Sequence, residues 1–169
     1  MFNTLQLNNG NETFSDIAQF TQTAATDWSW ASLVADFDND GNKDIYITNG
    51  LLRDIRNTDA DKKISDLVSK TFNKYIIENP DNSNVNIWDV IDLQELLNFL
   101  PSQKLKNYFY KNYGDLKFKN EIDQLGLGDP SFSHGASYAD LDNDGDLDLI
   151  VSNVNEKVFI RIISVDKCF

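Results

Sequence analysis

The sequence predicts a mainly β protein that is interrupted by one α-helical insertion. Three observations predict this fold class: two acidic turns with the same spacing, β-branched runs on both sides of each turn, and an internal repeat whose copies are separated by helix-like sequence. The chain has 169 residues, of which 41% are hydrophobic and 25% are charged. It therefore has enough apolar residues for the core of one domain, or of a piece of one.

The internal repeat sets the order of the predicted strands. Residues 3–50 align with residues 107–154 without a gap, and 13 of the 48 aligned positions are identical. Each copy begins with a hairpin signal, LQLNNGNETF or YFYKNYGDLKF, and ends with an acidic turn between two apolar runs. Four short strands in about 48 residues is close to the size of one β-propeller blade. We therefore expect a partial β-propeller of about two four-stranded blades.

Residues 51–106 lie between the two copies and are predicted to be helical. Apolar residues recur there at helical spacing in two stripes, which end before Pro80 and Pro101: Ile64, Leu67, Val68, Phe72, Tyr75 and Ile76, then Leu93, Leu96, Leu97 and Leu100. The two copies are offset by 104 residues, of which the insertion accounts for 56 and one repeat for 48. The insertion therefore falls between the second and third strands of one blade. Packing of this helical pair against the sheet edge is the favoured interpretation, and a lid that docks a partner is the alternative.

The predicted domain organisation follows from these positions. Residues 1–50 form a half blade and the first acidic hairpin, residues 51–106 form the insertion, and residues 107–169 form the second repeat, truncated, with the second acidic hairpin. The runs ASLVA and IYIT flank the first acidic turn, and ASYA and LIVS flank the second, so each turn is expected to connect two strands.

Both acidic turns have the pattern D-x-D-N-D-G-x-x-D, and together they hold nine of the 22 aspartates. Carboxylates at positions 1, 3, 5 and 9, a backbone carbonyl at 7 and a glycine at 6 form a ring of oxygens that suits calcium. The sequence therefore predicts two Ca²⁺ sites, and the alternative is a solvated Asx-rich turn. The predicted ligands are Asp36, Asp38, Asp40, the Asn42 carbonyl and Asp44 in the first loop, and Asp140, Asp142, Asp144, the Asp146 carbonyl and Asp148 in the second.

These loops are not EF-hands. An EF-hand needs a helix on each side of the loop and a bidentate glutamate at position 12. Position 12 is Ile47 in the first loop and Val151 in the second, and the flanking runs are strand-like.

Composition and charge argue against several classes of protein. The formal charge of −12 argues against a nucleic-acid partner, because such binders need a basic surface. No apolar run reaches the roughly 18 residues of a membrane span, and the first ten residues give no signal peptide. The single cysteine, Cys168, excludes an internal disulfide framework, and the single histidine, His134, excludes sites that need two.

The sequence also resembles a known family. The two acidic loops, the segment SFSHGASYADLDNDGDLDLIVSN and the N-x₄-N-x-G-x₃-F hairpins are similar to FG-GAP/VCBS repeats. In particular, residues 3–155 resemble the cartilage-acidic-protein-like (ASPIC/UnbV-type) proteins of bacterial envelopes. The resemblance implies structural calcium, blades of a seven- or eight-bladed propeller, an extracellular or cell-envelope setting, and recognition or adhesion with a protein or glycan ligand. Two blades cannot close a ring, so we expect a fragment of a longer secreted protein that supplies the remaining blades.

Two alternatives to a calcium-stabilised recognition module stay open. A carbohydrate-active hydrolase needs two carboxyls across a sugar, and neither such a pair nor a G-x-S-x-G or H-E-x-x-H motif is evident, so we predict that the chain is not an enzyme. The second alternative is a purely structural scaffold. Trp28, Trp30 and Trp88 could stack on sugars if exposed, but burial habits favour the core. His134 is expected to hydrogen-bond at a strand end rather than to ligate a metal.

Overall fold

The computed structural model describes residues 2–82 and 85–161. Cys168, which we expect from the sequence to be an inert thiol, lies outside the described residues. The described elements, in chain order, are β1 (Gln6–Asn8), β2 (Phe14–Asp16), β3 (Ser29–Ala35), β4 (Asp44–Asn49), α1 (Thr58–Glu78), α2 (Ile87–Val90), α3 (Leu93–Leu97), β5 (Tyr108–Asn112), β6 (Phe118–Asn120), β7 (Ser133–Ala139), β8 (Asp148–Asn153) and β9 (Phe159–Arg161).

The strands form three antiparallel sheets, which confirms the prediction of a mainly β fold. The first sheet pairs β1 with β2, the second has the order β3-β4-β5-β6, and the third has the order β7-β8-β9. The acidic turns connect β3 to β4 and β7 to β8, as the flanking apolar runs predict. The two glycine-containing hairpins are β1–β2 and β5–β6. The second sheet therefore contains four strands of one repeat length, with the insertion between its second and third strands.

The helical segment, residues 52–103, is a compact unit of its own. The side chain of Asn57 caps α1 by accepting a 2.9 Å hydrogen bond from the Ala60 N–H. This helix covers the first predicted stripe and ends at Glu78, and α3 covers most of the second stripe. The one-turn helix α2 was not predicted, because four residues are too few for a periodic pattern. The Asp54 N–H donates to the Pro101 carbonyl at 2.8 Å, so the two ends of this unit meet.

The third sheet has one strand more than the sequence predicts. The tail after the second acidic hairpin has no further Asn-Gly signal, so the last sheet is expected to contain only the two strands of that hairpin. The structure instead pairs β9 with β8, with Ile150 opposite Ile160. The sequence around β9 contains β-branched residues such as Val158 and Ile160, which favour a strand without a glycine turn before it.

The core lies on both faces of β4, whose six residues are all buried. Because successive residues of a strand point to opposite faces, Ile45 and Ile47 pack beside Leu5, whereas Tyr46 packs in the cluster that contains Leu149 and other residues of the third sheet. The first acidic loop therefore continues directly into the most buried strand of the molecule.

One buried asparagine connects the second sheet to the third. The Asn107 side chain accepts a 2.8 Å hydrogen bond from the Asn49 N–H. It also donates to the Tyr46 hydroxyl at 2.9 Å and to the Ser133 hydroxyl at 3.1 Å. Asn107 and these three partners have no exposed surface. The hydrogen bonds therefore satisfy polar groups that are buried away from water.

Candidate metal centres

The two acidic loops share one backbone shape. Asn39 and Asn143 have φ values of 56° and 61°, and Gly41 and Gly145 have φ values of 89° and 93°. This left-handed region is open to glycine and is tolerated by asparagine. The N-D-G part of the motif is therefore explained by the turn that both loops make.

This turn gathers three carboxylates in each loop. One oxygen from each of three residues lies within 4.8 Å of the others, namely Asp36, Asp38 and Asp40 in the first loop and Asp140, Asp142 and Asp148 in the second. Of the other predicted carboxylate ligands, Asp44 and Asp144 lie outside these groups. Six of the eight predicted carboxylates are therefore brought together in threes, a number that suits an ion with oxygen ligands.

Backbone N–H groups of the turns hold the first carboxylate of each loop in place. The Gly41 N–H donates to Asp36 at 2.9 Å, and the Gly145 N–H donates to Asp140 at 3.1 Å. At the predicted carbonyl ligands, the Asn42 N–H donates to Asp40 at 2.8 Å and the Asp146 N–H donates to Asp144 at 2.9 Å. These hydrogen bonds are typical of any Asx turn, so they do not by themselves distinguish a metal site from a solvated turn.

The last aspartate of each loop is buried, but the two have different partners. Both oxygens of Asp44 accept backbone hydrogen bonds, from Asn112 at 2.9 Å and from Phe37 at 3.2 Å. Burial nevertheless raises the pKa of Asp44 to about 6. Asp148 accepts from the Leu141 N–H at 2.8 Å through Oδ2. Its Oδ1 is buried and has no hydrogen-bond partner among the described residues.

The unpaired Asp148 oxygen is the atom that best fits a cation. A buried carboxylate oxygen without a hydrogen bond is costly, because the chain has removed it from water without a replacement. Asp148 lies with Asp140 and Asp142 in the second group of carboxylates. Desolvation is the main cause that raises the pKa of Asp142, and repulsion by the Asp144 and Asp148 charges raises it further. A hard divalent ion would relieve both the missing contact and this repulsion.

The first loop already has a cation from the protein itself. The ammonium of Lys111, on β5, forms an ion pair with Asp38, and the two side chains are only 16% and 6% exposed. The hydrogen bond to Asp38 raises the pKa of Lys111. The sequence did not predict this contact, because Lys111 is distant in the chain and reaches the loop only through the pairing of β4 with β5. Among the side chains that the structure describes, no lysine or arginine pairs with Asp140, Asp142 or Asp148.

The two loops are joined by Asn39, at a position that is not a predicted ligand. Its side-chain amide donates to Asp146 Oδ1 at 2.9 Å and to the Gly145 carbonyl at 3.3 Å. Asn143 holds the same place in the second loop.

Trp30 and Trp88 contradict the expectation that the tryptophans lie in the core, whereas the intermediate burial of Trp28 is consistent with the expectation that at least one of Trp28 and Trp30 faces inward. Trp30 is 51% exposed, Trp88 is 61% exposed, and Trp28 is partly exposed. The Trp30 ring stacks on His134 with 4.2 Å between centroids, and its Nε1 donates to the Gly50 carbonyl at 2.6 Å. His134 Nε2 has no hydrogen-bond partner among the described residues, so the expected strand-end hydrogen bond is absent from that atom. Burial lowers the pKa of His134, because it disfavours the charged form of the stacked ring.

No helix in the described residues is long and apolar enough to cross a membrane.

Comparison with known proteins gives one family. A search of curated proteins gave no match. The family model of the FG-GAP-like repeat matches residues 2–47 and 97–151 of the sequence, and each range contains one complete acidic loop. These two ranges cover more than half of the chain, and the chain therefore belongs to the FG-GAP-like repeat family.

Proposed function

We propose that this chain is a calcium-binding FG-GAP-type repeat module in which each acidic loop holds one Ca²⁺. The observation that carries the proposal is the buried, unpaired Oδ1 of Asp148 beside the carboxylates of Asp140 and Asp142. Bound calcium supplies the positive charge that these carboxylates need once folding has brought them together. The matching backbone shape of the first loop extends the proposal to the group of Asp36, Asp38 and Asp40.

Calorimetric titration with calcium tests this proposal, and two ions per chain are expected. Sites in extracellular modules have dissociation constants of about 10⁻⁴–10⁻³ M. At millimolar calcium, each site with a dissociation constant of about 10⁻⁴ M adds about 1.4 kcal/mol to the free energy of unfolding. The melting temperature should therefore rise by several degrees when calcium replaces a chelator.

Replacing the first aspartate of a loop, in Asp36→Asn or Asp140→Asn, should remove one of the two sites. The matched control is Asp115→Asn, which makes the same chemical change at an exposed aspartate outside the loops. This variant should bind two ions like the wild type. Identical melting curves in calcium and in chelator, with no heat of binding, would contradict the proposal.

We further propose that the three sheets are parts of consecutive blades of a larger propeller. The second sheet has all four strands, and apolar clusters lie on both of its faces, as between neighbouring blades. The first sheet then corresponds to the outer two strands of the preceding blade, since β1 and β2 align with β5 and β6 in the repeat. The remaining blades belong to a longer parent protein of the cartilage-acidic-protein-like (ASPIC/UnbV) type, and a structure of that protein tests this assignment.

The biological role that we propose is non-catalytic recognition or adhesion outside the cell or at the cell envelope, with a protein or glycan ligand. FG-GAP repeats are typical of extracellular proteins, and the half-exposed Trp30 ring is the kind of surface on which a sugar stacks. A glycan array in calcium tests the glycan ligand, with Trp30→Ala expected to weaken binding and Trp88→Ala expected to leave it unchanged. Equal loss in both variants would contradict the assignment to Trp30.

A further inference from the structure

Lys111 occupies a place that the calcium motif does not provide for. It lies on β5, the third strand of the four-stranded sheet, and its ammonium forms an ion pair with Asp38 at position 3 of the first loop. The Tyr113 ring lies 5.5 Å from the same ammonium. Asp38 and Lys111 are both largely buried, so this contact is not a solvent-screened surface ion pair.

An ion in the first loop must compete with this ammonium. Asp38 is one of three carboxylates that the loop gathers, so calcium either takes Asp38 from Lys111 or binds with a second cation close by. Removing one partner of a buried ion pair is unfavourable because it leaves the other charge unpaired, and two cations a few ångströms apart repel each other. Both routes weaken calcium binding to the first loop.

The second loop has the opposite arrangement. Its last aspartate, Asp148, has an unpaired buried oxygen, and the described side chains place no lysine or arginine against Asp140, Asp142 or Asp148. Within the described part of the chain, these three carboxylates therefore have no counterpart of the ion pair that Lys111 forms with Asp38.

We propose that Lys111 is a resident counter-ion of the first loop, so that calcium fills the loop at Asp140–Asp148 first and the loop at Asp36–Asp44 second. This inference rests on the proposed function, since it assumes that both loops bind calcium. Lys111 then determines the difference in calcium affinity between two sites that have the same sequence pattern. At calcium concentrations that fill only the second loop, the Lys111 ammonium partly neutralises the carboxylates of the first.

The experiment separates the two loops with a matched pair of variants at position 1. Asp36→Asn disables the first loop and Asp140→Asn disables the second, and each aspartate accepts the same glycine N–H hydrogen bond. Calorimetry on each variant then gives the affinity of the remaining loop. We expect the first loop, measured in Asp140→Asn, to bind about tenfold more weakly than the second, measured in Asp36→Asn, at low ionic strength.

Lys111→Met in the Asp140→Asn background then tests the cause, because methionine keeps much of the apolar stem and removes the charge. The affinity of the first loop should rise about tenfold, and the melting temperature in chelator should fall, since Asp38 is left without its partner. Lys119→Met is the control, because Lys119 pairs with Glu121 outside both loops and should change neither value.

The possible outcomes distinguish this inference from the proposed function. Two results would overturn the role of Lys111 but leave the proposed function standing. The first is equal calcium affinities of the two loops, and the second is a calcium affinity of the first loop that is unchanged or lower in Lys111→Met. The comparison of Asp36→Asn with Asp140→Asn retains the lysine, so it decides the order of filling even if Lys111→Met does not fold. A wild-type chain that binds no calcium would overturn the proposed function as well.

Discussion

The two copies of the repeat carry loops with the same spacing and the same turn, yet the carboxylates of the two loops have different surroundings. In the first loop, Lys111 and Asn112 reach in from β5 and provide partners for Asp38 and Asp44. In the second loop, Asp148 keeps an unpaired oxygen in the described structure. The motif thus determines which oxygens come together, whereas the neighbouring strand determines how much of their charge is already balanced.

The largest difference between the copies is expected at the asparagines that begin them, Asn3 and Asn107. Asn107→Ala should lower the free energy of unfolding by about 3 kcal/mol, because it leaves the Asn49 N–H and the Tyr46 hydroxyl buried without partners. Asn3→Ala should cost about 1 kcal/mol, since Asn3 is only partly buried and donates to Thr26 and to the Thr23 carbonyl. Urea denaturation of both variants measures this difference. Equal losses in the free energy of unfolding would show that the two asparagines stabilise the fold to the same extent.

A second pair of variants should differ when calcium is chelated, because only one of the two should lower the free energy of unfolding. In Asp44→Asn one acceptor becomes an NH₂ group that faces a backbone N–H, which should destabilise the fold by about 2 kcal/mol. In Asp148→Asn the NH₂ group can replace the unpaired Oδ1 and donate to the nearby carboxylates, so the variant should be as stable as the wild type or up to about 1 kcal/mol more stable. Both variants should bind calcium more weakly. Denaturation in chelator provides the measurement, and a loss of stability in Asp148→Asn would mean that its Oδ1 is satisfied without a metal.

The smallest expected effect concerns the hydrogen bonds between the loops. Asn39→Gly keeps the positive φ but removes the donor to Asp146 and to the Gly145 carbonyl, so the second loop should bind calcium about two- to threefold more weakly, a cost of about 0.5 kcal/mol. Asn143→Gly is the matched control, because it makes the same change at the same turn position. Calorimetry in the Asp36→Asn background isolates the second loop. A weaker second loop in Asn143→Gly alone would assign the effect to its own turn rather than to the link between loops.

Local pattern was sufficient to predict the hairpins, the acidic loops and the position of the insertion, because each depends on residues that are close in sequence. Three features of the sites depend on contacts between distant parts of the chain. Lys111 reaches Asp38 only through strand pairing, and Asn39 reaches Asp146 only because the two loops lie side by side. The exposure of Trp30 depends on what covers β3, and general burial habits gave the wrong expectation there.

The meeting of the ends of the helical segment, through Asp54 and Pro101, has a consequence for the order of folding. Strands β4 and β5 are neighbours in the sheet although this whole segment separates them in the chain. If the segment folds first, its joined ends turn a long flexible loop into a short one. Reducing the effective loop from about 58 residues to about 12 lowers the entropic cost of closure by roughly 1.4 kcal/mol. A small helical unit that folds through local contacts would in this way accelerate the pairing of the two strands that it separates.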